Sequence, residues 1–186
     1  MIKFLKEKKT NIFFILFFII VFILSTQLMP KLSGSFSKIS GITVKADILL
    51  GAVISASLLQ GKKYASYFAL AAGFLFDVFV GNPYALSPIV YFLCAYSANF
   101  AASPFSRKTP LSVLLISAAL LLIKALFSFF YLFATASSGG QSAVRLILSG
   151  VLPEYVANIL AAVIVFTVMR ILMAIFRIPV REDIGK

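Results

Sequence analysis

Few residues in this chain could do chemistry, and four of them are charges set inside long apolar runs: Asp47, Asp77, Lys124 and Arg170. A carboxylate or an ammonium at such a place holds a proton, binds an ion or neutralises its opposite. In hydrocarbon each of these needs a protein interior around it. The sequence has no His, which removes Ser–His nucleophiles, imidazole bases and His-ligated metals. Its single cysteine, Cys94, lies within an apolar run, so no intrachain disulfide or Cys cluster can form, and it reads as a small buried hydrophobe. Lys124 with Ser117 or Ser128 could be drawn as a Ser–Lys dyad. A single helix face carrying Ser117, Lys124, Ser128 and Tyr131 is better explained as polar packing. No spacing suggests a phosphate loop or a metal site, so the expectation is a protein that is not an enzyme and has no cofactor.

The elements that must position these residues follow from composition. The chain is 61% hydrophobic and 12% charged, with a mean hydropathy of +1.05. A soluble chain of 186 residues could not hide that much apolar surface in one core. Runs long enough or nearly long enough to cross a bilayer lie at about 11–29, 46–60, 64–80, 84–102, 110–134 and 151–176. Pro30 closes the first, the Gly81-Asn82-Pro83 turn closes the third, and Ser103-Pro104 follows the fourth. The expected fold is an all-α integral membrane protein, one polytopic domain over 1–186 with about six transmembrane helices. The first run has basic residues before it, as a cleaved leader would. Its apolar core is long for a leader and Ser25-Thr26-Gln27 is a poor cleavage site, so it reads as a span.

Charge sets the orientation. The net charge of +11 could suggest nucleic acid, but the basic residues cluster at the ends of apolar runs, where topology and anionic headgroups account for them. With the N-terminus inside, the inner set is Lys3, Lys6, Lys8, Lys9, Lys62, Lys63, Arg107, Lys108, Arg177, Arg181 and Lys186. The outer set is only Lys31, Lys38, Lys45 and Arg145, which places both termini in the cytoplasm. There is no Trp, so Tyr64, Tyr84, Tyr131 and Tyr155, each close to a span end, supply the interfacial ring.

Depth suggests a partner for the lysine. Asp77 is thirteen residues beyond Tyr64 and Lys124 fourteen beyond Pro110, so both stand roughly 20 Å from the inner surface. Equal depth and opposite charge predict an Asp77–Lys124 interhelical pair. Asp47 begins span two, where it reads equally as a helix cap or a functional group. Arg170 lies near the inner end of span six and can snorkel. Small residues share these faces: Ala65, Ala69, Gly73, Asp77 and Gly81 in span three, Asp47, Gly51 and Ser55 in span two. Tyr91, Ala95 and Asn99 in span four and Asn158 with Ala162 in span six match them. Such faces let helix backbones approach closely and predict the bundle interior. Span one, nearly all Phe, Ile and Leu, is expected outside that interior, against lipid or another protein's helix.

The stretch ADILLGAVISASLLQGKKYASYFALAAGFLFDVFVGNPYALSPIVYFLCAY resembles the MreD family of bacterial rod shape-determining membrane proteins. The resemblance rests on Asp47 opening span two, Gly73 and Asp77 in span three, the Gly81/Pro83 turn and Tyr91 in span four. VLPEYVANIL, with Pro153 and Asn158, is similar to that family's last span. It implies a fold similar to the substrate-binding (S) components of energy-coupling-factor vitamin transporters. It also implies a scaffold in the bacterial cytoplasmic membrane that works with MreC and is linked with MreB, RodA and a penicillin-binding transpeptidase. Its role would be in cell shape and lateral peptidoglycan synthesis. Two alternatives remain open. One is a vitamin-type substrate-binding subunit, against which residues 11–24 lack the Ala-xxx-Ala face those subunits share. The other is a small transporter with Asp77 and Lys124 in an ion path.

Overall fold

The structure, a computed structural model, describes residues 2–31, 33–34, 46–60, 62–80, 86–102, 110–136, 147–178 and 180. Their regular elements are all helical. Six helices follow in order: α1 (Ile2–Ile23), α2 (Ile48–Gln60), α3 (Lys62–Val80), α4 (Ser87–Ala102), α5 (Pro110–Ala136) and α6 (Leu152–Ile175). A π-helical turn extends α1 through Leu24–Leu28, and another, Ile147–Val151, leads without a break into α6. Two of the continuous helices, Lys9–Lys31 and Ile147–Ile175, are long and apolar enough to cross a membrane. The apolar stretches Ile48–Gln60, Ala65–Phe79, Ser87–Ala98 and Leu111–Phe127 are shorter.

Helix α2 is the axis of the assembly. It touches each of the other five helices, and every residue from Leu49 to Gln60 is buried. A helix apolar on all sides has no face to give to solvent, and this one is enclosed accordingly. Its neighbours each bury one stripe. In α6 that stripe is Asn158, Ala162, Val165, Phe166, Met169 and Met173, while Leu160, Ile164, Val168 and Ile171 are exposed. The outward faces are thus as apolar as the inward ones, which water would not favour over so large an area.

Pairs of touching residues give the helix directions. Asp47 meets Asn158 and Gly51 meets Ala162, so α2 and α6 run parallel, in step. Asp77 against Ser87 and the earlier Gly73 against the later Pro88 make α3 and α4 antiparallel. Phe18 on Phe68 and Phe22 on Phe79 make α1 parallel to α3. Lys124 beside Glu154 and Tyr155 beneath Ala118 make α5 and α6 antiparallel. Asp47 on Tyr91 and Ser57 on Ala95 make α2 parallel to α4, so direction alternates along the chain.

Two expectations are corrected here. Span one is not left outside the bundle. Phe14, Phe17, Phe18, Val21 and Ser25 are buried, and Phe18 stacks on Phe68 with centroids 4.8 Å apart. Large rings interdigitating do for α1 what small residues do elsewhere. Only its other face, Ile12, Leu16, Ile19 and Ile23, is exposed. Nor does Pro30 close the helix, which continues through Lys31. The π turn before it accommodates the ring: the Met29 N–H reaches back to the Leu24 carbonyl, and the wider turn relieves the clash that proline makes one turn back. Pro153 stands in the same relation to the turn Ile147–Val151.

Candidate functional site

The site grows from the first residue before α2. Asp47 is the N-cap: its Oδ1 accepts the Leu50 N–H at 3.0 Å, and its own carbonyl accepts the Gly51 N–H. One of the orphan donors of the helix start is thereby satisfied. The carboxylate, 6% exposed, does more than cap. Tyr91 of α4 directs its hydroxyl between the two carboxylate oxygens, 2.8 Å from each. Lys124 of α5 stands 3.0 Å from Oδ2. The Asp47 backbone N–H donates to Asn158 Oδ1 of α6 at 2.6 Å. One residue thus joins four helices, and its charge meets both an ammonium and the positive end of α2.

Glu154 completes the cluster. Its Oε1 is 3.6 Å from Lys124 Nζ. Beside it lies a recess between α5 and α6, lined by Leu121, Lys124, Ala125, Val151, Glu154, Tyr155 and Asn158. Tyr155 closes one wall by donating its hydroxyl to the Ala118 carbonyl at 2.7 Å.

The predicted partner of Lys124 is corrected. Its ion pairs go to Asp47 and Glu154, not to Asp77. The physical reason is neighbour order: α3 and α5 share no contact among the described residues, while α5 packs on α4, α6 and α2. Asp77, also buried, accepts the Ser87 backbone N–H at 3.0 Å. It caps α4 from across the α3–α4 connection, so both interior aspartates serve helix starts. Gly73 lies one turn earlier, where α3 backs onto Pro88. Gly81 falls outside the described residues. Arg170 is exposed on α6. Cys94 is buried and forms no disulfide.

Glu154 carried a signal in the sequence that went unread: it lies four residues before Asn158, on the same face of α6. Ser117 sends its hydroxyl to the Val113 carbonyl at 2.6 Å, the back-bonding expected of a packed helical serine. Among the described residues no group of three or more His, Cys, Asp or Glu could hold a metal ion.

The arrangement neutralises a buried charge and fastens helices. Tyr91→Phe keeps the ring and removes the hydroxyl that bridges both Asp47 oxygens. The expected loss is about 1–3 kcal/mol, because a hydrogen bond to a charged, buried group is removed. Thermal melting of the purified protein in a mild detergent measures it. Asp77→Ala, which removes a cap, is expected to cost about 1 kcal/mol by the same assay.

No family model, curated protein or solved structure matches this chain.

Proposed function

We propose that this chain is a six-span protein of the bacterial cytoplasmic membrane, both ends inside, and a scaffold of the cell-elongation machinery with MreC as its partner. One observation carries the scaffold reading: Asp47 uses its carboxylate and its N–H to hold four helices together. A polar interior so engaged suits a fixed platform. The MreD resemblance of residues 46–96 and of 151–160 supplies the identity of the machinery. Alternating helix directions and apolar outward faces support the spans, and the positive-inside pattern supports the orientation. The shorter helices fit the same reading, since α2 lies within protein and need not meet lipid along its length.

Depletion of the protein from a rod-shaped host lacking a paralogue is expected to round the cells, with wild-type expression restoring rods. Unchanged morphology would sink the proposal. Topology is tested separately in a Cys94→Ser background: a cysteine at Lys9 should react only with reagent admitted to the cytoplasm, and one at Lys31 with impermeant reagent outside. Labelling of both from the same side would remove the span between them.

A further inference from the structure

Helix α6 ends in a tight cap. The Ile178 N–H reaches back to the Met173 carbonyl at 2.8 Å and the Arg177 N–H to the Ala174 carbonyl at 3.1 Å. Ile178 and Met173 are both buried in the core. In such a cap the turning residue takes a left-handed backbone conformation and is usually glycine. Here it is Arg177, at φ 52°, where a side chain carries a steric cost that glycine would not. Burial of Ile178 holds the turn in place, so the exposed Arg177 side chain is presented at the end of α6.

Its neighbour Phe176, exposed on one side, meets Phe13 of α1 with ring centroids 5.9 Å apart. The backbones of α1 and α6 do not approach each other among the described residues, so these rings bridge a gap between two helices. Lys9 lies one turn before Phe13 on the same side of α1 and is exposed. Because α1 and α6 run in opposite directions, Lys9 and Arg177 both stand on the inward side of the ring contact. Ile12 and Leu16, three and seven residues beyond Lys9 on its side of the helix, are exposed at increasing depth. With both ends inside, the full sequence sets eleven basic residues against Glu7, Glu182 and Asp183 on the inner side. Its own acids therefore cannot match those cations one for one.

We propose that Lys9 and Arg177 hold the phosphate of one anionic phospholipid of the cytoplasmic leaflet, whose acyl chain lies along Ile12, Leu16 and the exposed edge of Phe176. This rests on the six-span reading above and names a ligand for its inner surface. The vertical order of the residues carries it: two cations at the surface, a ring next, aliphatic side chains deeper. A phospholipid has that same order of charge and chain, whereas a soluble phosphate or an acidic peptide gains nothing from the apolar part. The guanidinium offers paired donors to phosphate oxygens and the ammonium adds a point charge. Bound in this way, the lipid joins α1 to α6 where their backbones do not meet.

The test is native mass spectrometry of the full chain in mild detergent, titrated with phosphatidylglycerol or phosphatidylcholine. One phosphatidylglycerol is expected to bind about tenfold tighter than phosphatidylcholine. Arg177→Gly and Lys9→Gln should each erase that preference, and Arg177→Lys, which keeps the charge, should retain it in part. The melting temperature of Arg177→Gly in lipid-free detergent should be no lower than that of wild type, since glycine suits the left-handed turn. Loss of the lipid is then not loss of the fold. Should Lys9→Gln not fold, the Arg177 variants decide. Equal affinity for the two lipids overturns the proposal. So does a preference that survives Arg177→Gly, which would leave Arg177 serving the carbonyl end of α6 alone. An equal loss in Lys31→Gln, at the opposite end of the first span, overturns it too, as does displacement of the lipid by inorganic phosphate at the same concentration. A tenfold gain in phosphatidylglycerol affinity on combining Glu182→Gln with Asp183→Asn would make the chain's own acids the occupant and equally overturn it. Cysteine labelling at Lys9 and the depletion phenotype are read independently, so a chain with Lys9 inside and no lipid preference fails here alone.

Discussion

Lys124→Met is expected to destabilise the folded bundle by about 3–5 kcal/mol, the cost of removing one partner from a buried ion pair. Methionine fills nearly the same path as the lysine stem, so the loss is electrostatic and not a cavity. Asp47 would retain Tyr91, the Leu50 N–H and the Asn158 contact at its own N–H. Its charge, however, would lose the ammonium 3.0 Å away. Circular dichroism during titration with a denaturing detergent gives the change in midpoint. Adding Asp47→Asn to Lys124→Met should return most of the stability, since the asparagine can still cap α2 without a charge to compensate. Glu154→Gln should cost about 1 kcal/mol or less, because that pair is longer and partly exposed. If the single variants at Asp47 and Lys124 sum to the double, the two residues do not act as a pair.

The contrast between Asp47 and Asp77 marks how far the sequence could be read. Apolar run lengths and Pro positions placed helices within a few residues: 46–60 against Ile48–Gln60, 110–134 against Pro110–Ala136, 151–176 against Leu152–Ile175. Local chemistry suffices for that, since hydrophobic length and helix breakers act along one chain. Asp47, Tyr91, Lys124 and Asn158 are also visible singly, as polar residues within apolar runs, whereas Glu154 is not singled out. Their pairing is not visible. Depth along a helix is a single coordinate, and α2, thirteen residues long, puts Asp47 at about the same ~20 Å as Asp77. What separates the two aspartates is which helix lies beside α5, and that is settled by packing of whole faces. The placement of α1 shows the same limit: its run of Phe, Ile and Leu is uniform in hydropathy, but only the Phe side interlocks with α3. Pro30 failed as a stop signal because a π turn, which has no distinct residue pattern, absorbs it.

Among the described glycines, Gly73→Ala is expected to add the most damaging methyl group. A Cβ on Gly73 would come within 2.5 Å of both Pro88 Cα and Pro88 N, and these are backbone atoms of a proline-containing first turn that cannot swing aside. The methyl can be accepted only by moving α3 away from α4. That motion would also draw Asp77 off the Ser87 N–H, one turn further along the same interface. The loss expected is about 2–4 kcal/mol, combining overpacking with a weakened cap. Gly51→Ala is the internal control. There the Cβ would meet Ala162 Cα at 3.0 Å and its N at 3.2 Å, distances a shift of a few tenths of an ångström relieves. Yet α2 is enclosed on all sides, so the shift also loosens the Asp47–Asn158 contact one turn away. An intermediate loss, about 1–2 kcal/mol, follows. Detergent-titration midpoints should therefore order as wild type, then Gly51→Ala, then Gly73→Ala. A Gly73→Ala protein as stable as wild type would mean that α3 and α4 do not pack backbone to backbone at Pro88, and the geometry that places Asp77 on the start of α4 would fall with it.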